Sequence, residues 1–210
     1  METLLQLPRL YVILDRATLD ARGLALVEIA RELQDAGVTL FQYRDKTGAP
    51  QDVLRAAQEI AAALGGANAV LIMNDRADLA ARLGWGVHVG QSDLAADDAK
   101  GIAGSSPVGL STHTDQQVNL ANASVADYVA VGPVFATGTK LDAGPVVGLE
   151  GVRRARRLTH KPLVAIGGIT RENARSVIDA GADSVAVISG LFVPGESPGK
   201  VARDFLALLR

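Results

Sequence analysis

The sequence predicts one (β/α)8 (TIM) barrel domain over residues 1–210, and three observations carry that prediction. Short β-rich runs alternate with helix-period segments from one end of the chain to the other. The runs are continuously apolar rather than alternating, the pattern of parallel strands covered on both faces. No Pro/Gly/Ser-rich linker or charge block divides the 210 residues. Eight such units close into a barrel whose usual size is about 250 residues, so short connections are expected here. An open doubly wound sheet would have to dispose of all eight strands, and the barrel is preferred.

The units follow in order. Leu10-Tyr11-Val12-Ile13-Leu14 is the first strand. Leu26, Ile29, Ala30 and Leu33 then form one apolar helix face, closed by Gly37, because glycine takes the left-handed conformation that ends a helix. Val38 to Arg44 is the second strand, Val53, Ala57, Ile60, Ala61 and Leu64 stripe a helix, and Ala69 to Met73 is the third strand. Gly86–Val89, Val108–Leu110, Tyr128–Val131, Leu163–Ile166 and Ser184–Ile188 supply the other five strands. Between the last two, Thr170 is expected to cap a helix carrying Ala174, Val177 and Ile178, with Gly181 at its end. A final helix places Val201, Phe205 and Leu208 on one side.

Composition excludes several classes of function. With 21 Lys+Arg against 23 Asp+Glu the formal net charge is −2, which gives no bulk attraction to nucleic acid or to an anionic membrane. The absence of cysteine excludes disulfides, thiolate metal sites and a Cys nucleophile. Met1-Glu2-Thr3-Leu4 lacks the features of a secretory signal, and Ile60–Met73 is too short and too interrupted for a membrane span. A cytoplasmic globular protein is expected.

In such barrels the chemistry lies at the C-terminal ends of the strands, and reactive residues concentrate there. Side chains alternate along a strand, so Phe41 and Tyr43 face the helices while Gln42 and Arg44 point into the barrel mouth. Arg44, Lys46 and Lys140, without an equal cluster of partners, suggest an anionic substrate such as a phosphate. Lys46 taken alone would be solvated surface charge. Asp75 and Asp93 end adjacent strands, and each alone suits helix capping or a metal equally. Opposite a cationic cluster, the pair tips toward Mg2+ bound with a diphosphate. Gly167-Gly168 and Ser189-Gly190 close the last two strands, the usual phosphate position of the fold. Two separated anion sites imply two small phosphorylated substrates.

Other motifs fail. The glycines around Trp85 miss the dinucleotide fingerprint, Gly195–Lys200 has the wrong spacing for a P-loop, and Ser111 lacks a nucleophile elbow. The three histidines have no metal-ligand spacing, and His88, inside a strand, is expected to be packed and hydrogen-bonded rather than a base.

The ordered set Gln42-x-Arg44-x-Lys46, Asn74-Asp75-Arg76, Gly86-Val87-His88-Val89-Gly90-Gln91-x-Asp93, Gly109-Leu110-Ser111-x-His113, Asp127 through Lys140, and Ala165-Ile166-Gly167-Gly168-Ile169 resembles the thiamine phosphate synthase family. The resemblance runs from the first strand to Ile188-Ser189. It implies a barrel that ionises hydroxymethylpyrimidine diphosphate and captures the carbocation with the nitrogen of thiazole phosphate. By motif it implies that Gln42, Arg44, Lys46, Asn74, Ser111 and Lys140 hold the pyrimidine diphosphate, with Lys46 and Lys140 on the leaving group. It also implies that Asp75 and Asp93 bind Mg2+, and that Thr137, Thr139, Gly168, Ile188 and Ser189 hold the thiazole phosphate. The competing readings are a thiazole tautomerase-like or other phosphate-substrate barrel isomerase, and a non-catalytic ligand sensor. The presence of Lys46, Asp75, Asp93 and Lys140 together favours the synthase.

Overall fold

A computed structural model of the chain describes residues 5–65, 69–138 and 144–210. Strands β1 (Leu10–Asp15), β2 (Leu40–Arg44), β3 (Val70–Asn74), β4 (Gly86–Val89), β5 (Val108–Thr112), β6 (Tyr128–Val131), β7 (Leu163–Ile166) and β8 (Ser184–Val187) form a closed parallel barrel in sequence order, with β8 pairing back on β1. Helices α1 (Arg16–Asp20) and α2 (Leu26–Asp35) follow β1, and α3 (Pro50–Ala63), α4 (Ala77–Leu83), α5 (Ala96–Ala103), α6 (Asp115–Ala123), α7 (Gly148–Leu158) and α8 (Ala174–Asp179) follow β2 to β7. A 3-10 turn, Ser189–Leu191, and α9 (Pro198–Leu208) complete the circuit.

The two-residue period of the strands divides the core into two layers. Leu10, Val12, Leu14, Phe41, Tyr43, Met73, Val87, Val89, Val129 and Val131 pack outward against the helices. Tyr11, Ile13, Leu40, Ile72, Tyr128, Ala130, Val164, Ala186 and Ile188 fill the barrel. The expected division of β2 into an aromatic outer face and a Gln42/Arg44 inner face is therefore what folds. Trp85, buried at the entrance of β4, packs in the outer layer. Among the described residues no helix is long and apolar enough to cross a membrane.

Helix ends follow local chemistry with one departure from the sequence reading. Gly37 and Gly181 adopt positive φ (101° and 112°) just beyond α2 and α8, as expected. Thr170, however, does not cap α8. The N-cap is Asn173, whose side chain accepts from the Thr170 N–H at 2.9 Å and donates to the Gly168 carbonyl at 3.0 Å. The amide serves both ends of the turn at once, which a threonine hydroxyl at 170 is placed too early to do, so the helix begins later.

Candidate active site

The C-terminal ends of the strands open into two adjoining chambers. One is lined by Tyr11, Gln42, Arg44, Asn74, His88 and Ser111. The other is lined by His113, Thr137, Gly168, Ile188 and Ser189 among others. Ser111, Ala130, Ile166, Ala186 and Ile188 belong to both linings, so the chambers share one largely apolar wall. Lys140 and Thr139 lie outside the described residues. Every other candidate substrate residue is at this face. Gln42, Arg44, Asn74 and Ser111 are in the first chamber, and Thr137, Gly168, Ile188 and Ser189 in the second.

Contrary to the expectation from sequence, Arg44 and Lys46 both have acidic partners. Register places Asp15 beside Arg44 across β1 and β2, and the two form a nearly buried ion pair. The same carboxylate caps α1, accepting from the Thr18 N–H at 2.9 Å and from its hydroxyl at 2.6 Å. The buried Arg44 Nε has no hydrogen-bond partner among the described residues. Asp15 was missed because it reads as the polar end of a strand. Only the cross-strand register makes it the counterion of Arg44.

Lys46, half exposed, forms an ion pair with Asp75, and its Nζ lies 3.9 Å from an Asp93 oxygen. Neither aspartate caps a helix. The N-cap of α4 is Arg76 and that of α5 is Ala95, while Asp93 accepts from the Gly90 N–H at 2.9 Å. Asp75 has a left-handed backbone (φ 59°), a conformation that aspartate tolerates better than most side chains. Burial pushes its carboxyl above the ordinary aspartate range; the Lys46 ammonium opposes that rise and the neighbouring Asp93 carboxyl adds to it. Two carboxylates already converge on one ammonium, and their hard oxygens suit Mg2+, which takes its remaining ligands from water and substrate phosphate. Among the described residues no third His, Asp or Glu joins them in a metal-binding cluster. The pair therefore fits a metal shared with a ligand rather than one held in a protein cage.

Glycines let the loops of the second chamber close on one another. A Cβ on Gly132 would meet the Ile166 carbonyl oxygen at 2.2 Å, and one on Gly168 (φ 64°) would meet the Ala136 carbonyl oxygen at 2.5 Å. The expected strand-end glycines thus pack backbone against backbone as well as lining the chamber. His113 joins this wall, its Nδ1 2.6 Å from the Gly132 carbonyl oxygen, an acceptor that fixes Nδ1 as the donor.

Deep in the first chamber lies a hydrogen-bonded chain of side chains. Gln42 Nε2 donates to the Tyr11 hydroxyl at 2.7 Å, and the Tyr11 and Tyr128 hydroxyls are 3.0 Å apart. The Tyr128 hydroxyl lies 3.0 Å from His88 Nδ1, and His88 Nε2 lies 2.8 Å from Ser111 Oγ. His88 is therefore packed and hydrogen-bonded, as its place in a strand suggested. Both tyrosines are fully buried, and burial pushes both phenols above their ordinary value. In sequence both are simply members of apolar strand runs.

The family model for thiamine monophosphate synthase matches residues 10–191. The chain is 51% identical over 209 residues to the thiamine-phosphate synthase of Koribacter versatilis, covering 98% of this chain and 97% of that protein. It is 44% identical over 184 residues to that of Methanoregula boonei, covering 87% and 84% of the two chains. Among solved structures, the thiamine phosphate pyrophosphorylase of Pyrococcus furiosus superposes with a TM-score of 0.85 at 32% identity, over 96% of this chain and 95% of that one. The barrel, the motifs along its strand ends and these likenesses agree: the chain belongs to the thiamine monophosphate synthase family.

Proposed function

We propose that this enzyme, a transferase of thiamine biosynthesis, joins hydroxymethylpyrimidine diphosphate to thiazole phosphate, yielding thiamine phosphate and diphosphate. The observation that carries the reading is the pair of adjoining chambers. One has ionic groups at its rim and the other glycine turns, and an apolar wall lies between them. In this reading Gln42, Arg44, Lys46, Asn74, Ser111 and Lys140 hold the pyrimidine diphosphate. Thr137, Thr139, Gly168, Ile188 and Ser189 hold the thiazole phosphate.

The reaction breaks the bond between the pyrimidine methylene carbon and the diphosphate oxygen, whose electron pair leaves with diphosphate. The thiazole nitrogen then supplies the pair for the new C–N bond. No strong nucleophile or general base is required of the protein. Lys46 and Lys140 stabilise the charge that develops on the leaving group, and Arg44 holds the same substrate with its guanidinium positioned by Asp15. Ala130, Ile166, Ala186 and Ile188, the shared wall, keep water from the cation before the second ring captures it. Asp75 and Asp93 are the residues that would hold Mg2+, whose chemistry there is to neutralise diphosphate charge.

The test is a coupling assay with both substrates, with and without Mg2+, following thiamine phosphate and diphosphate together. Equal amounts of both products, formed only with the metal, are expected. Neither product from folded protein that still binds thiazole phosphate would overturn the reading.

A further inference from the structure

The chain of hydrogen bonds in the first chamber has a direction. A tyrosine hydroxyl carries one proton, and a neutral imidazole has one donor and one acceptor nitrogen. With both phenols pushed up by burial, each keeps its proton at neutral pH. If Gln42 donates its amide N–H to Tyr11, Tyr11 donates to Tyr128 and Tyr128 to His88 Nδ1. His88 then carries its proton on Nε2 and donates to Ser111. In that state Gln42 has its carbonyl oxygen, beside the amide's second N–H, turned to a ligand, and Ser111 has its O–H. Reversing only some of the links would make one tyrosine oxygen accept twice and leave its own buried O–H without an acceptor, so the links reverse together. Gln42 would then offer N–H, and Ser111 a lone pair.

We propose that Tyr11, Tyr128 and His88 are positioning residues that force Gln42 and Ser111 to present opposite hydrogen-bonding characters to the chamber, so that the site selects a heteroaromatic ring bearing a donor beside an acceptor. An aminopyrimidine, with an exocyclic N–H next to a ring nitrogen, is such a ring. The inference deepens the proposed function and rests on it for the identity of that ring.

The fold makes room for this chain specifically. Gly109 lies between His88 and Tyr128 in the register of β4, β5 and β6. Having no side chain, it lets the two rings meet, stacked with centroids 5.5 Å apart. Any Cβ there would fall 2.0 Å from the Tyr128 ring. Tyr11 and Tyr128, 117 residues apart, meet edge to face across the barrel.

The experiment uses Tyr11→Phe, which removes a link that does not touch His88, with Tyr128→Phe as a second break should the first fail to fold. Two quantities are measured. The first is the tautomer of His88 by 15N NMR of the unliganded protein. The wild type should hold its proton on Nε2 alone, and Tyr11→Phe should show a mixture, because Tyr128 can then either donate to His88 Nδ1 or accept from it. The second is the preference, in kcat/KM, for the aminopyrimidine diphosphate over an analogue with methoxy in place of amino. That analogue lacks the N–H donor that the Gln42 carbonyl oxygen accepts from. The preference should fall roughly tenfold in Tyr11→Phe, about the worth of one buried hydrogen bond. A purely structural role would slow both substrates alike and leave the ratio and the tautomer unchanged, overturning the proposal. So would a doubly protonated His88 in the wild type. A tautomer that mixes while the wild type turns over neither pyrimidine would overturn the substrate reading and leave the coupling of Gln42 to Ser111 standing.

Discussion

Gly109→Ala is expected to destabilise the protein by about 2–4 kcal/mol, although the same substitution within an ordinary strand is mildly favourable. The added Cβ would stand 2.0 Å from Tyr128 Cζ and 2.4 Å from its hydroxyl oxygen, so the ring has to withdraw by more than an ångström. It has nowhere to go: Tyr128 is 1% exposed, stacked on His88 and edge-on to Tyr11. Overpacking of this kind costs about 1–3 kcal/mol. The two hydrogen bonds of the Tyr128 hydroxyl contribute about 1 kcal/mol each and are lost as the ring moves. Against this, alanine gains about 0.5–1 kcal/mol over glycine in a strand interior. Equilibrium urea unfolding measures the difference. Repeating it in a Tyr128→Ala background isolates the cause, because Gly109→Ala should there be neutral or stabilising. A cost below about 1 kcal/mol in the wild-type background, or the same cost in both backgrounds, would refute the argument.

Four further outcomes are expected. Asp15→Ala leaves the Arg44 guanidinium largely buried without its counterion and uncaps α1; a loss of about 3–5 kcal/mol in urea unfolding is expected, and a loss under 1 kcal/mol would show that Arg44 finds another partner. Asp75 binds its proton more tightly folded than unfolded. Without divalent ion, wild-type stability should therefore fall as pH rises from the ordinary aspartate range through the raised value, and Asp75→Asn should lack that fall. An equal fall in the variant would assign it to another group. Mg2+ with diphosphate should raise the wild-type Tm, and Asp93→Ala should abolish both that rise and Mg2+-dependent turnover while the fold survives; unchanged turnover removes Asp93 from the metal site. Lys140→Ala should lower kcat by about 10²-fold, the usual worth of a charge stabiliser, and normal kinetics would make Lys140 surface charge.

The sequence disclosed the barrel because its evidence is local: apolar runs, helix stripes and polar strand ends are each visible within a few residues. The inward face of β2 was legible for the same reason, since alternation alone separates Gln42 and Arg44 from Phe41 and Tyr43. What stayed hidden depends on closure. Asp15 becomes the partner of Arg44 only through the β1–β2 register. Tyr11 and Tyr128 become polar neighbours only when eight strands form a ring. Asn173 replaces Thr170 as the cap of α8 because the chain makes an extra turn before the helix, to reach the Gly168 carbonyl. Gly109 is instructive in both directions. Its place in a motif was plain, but its purpose is visible only as the absence of a side chain between two rings.

The distribution of polar groups along the barrel axis suits a reaction with two different demands. Holding a flat ring requires donors and acceptors fixed before the ligand arrives, and groups that can turn would bind its isosteres equally well. Those groups lie deep, neutral and linked through Tyr11, Tyr128 and His88, where reorienting one costs a buried hydrogen bond. Receiving a departing diphosphate requires charge that can change partners. The ion pair of Lys46 with Asp75 stands at the rim, where Lys46 is 47% exposed and its ammonium can turn to solvent. In the proposed function Asp75 and Asp93 would hold a divalent cation, and Lys46, with its ammonium released from them, would pair with phosphate. Arg44 cannot exchange in this way, because Asp15 is almost wholly buried beside it and is also engaged as the cap of α1. In the proposed reaction, directional recognition would then fall to the interior and leaving-group stabilisation to the rim, with Arg44 as a fixed cation between them.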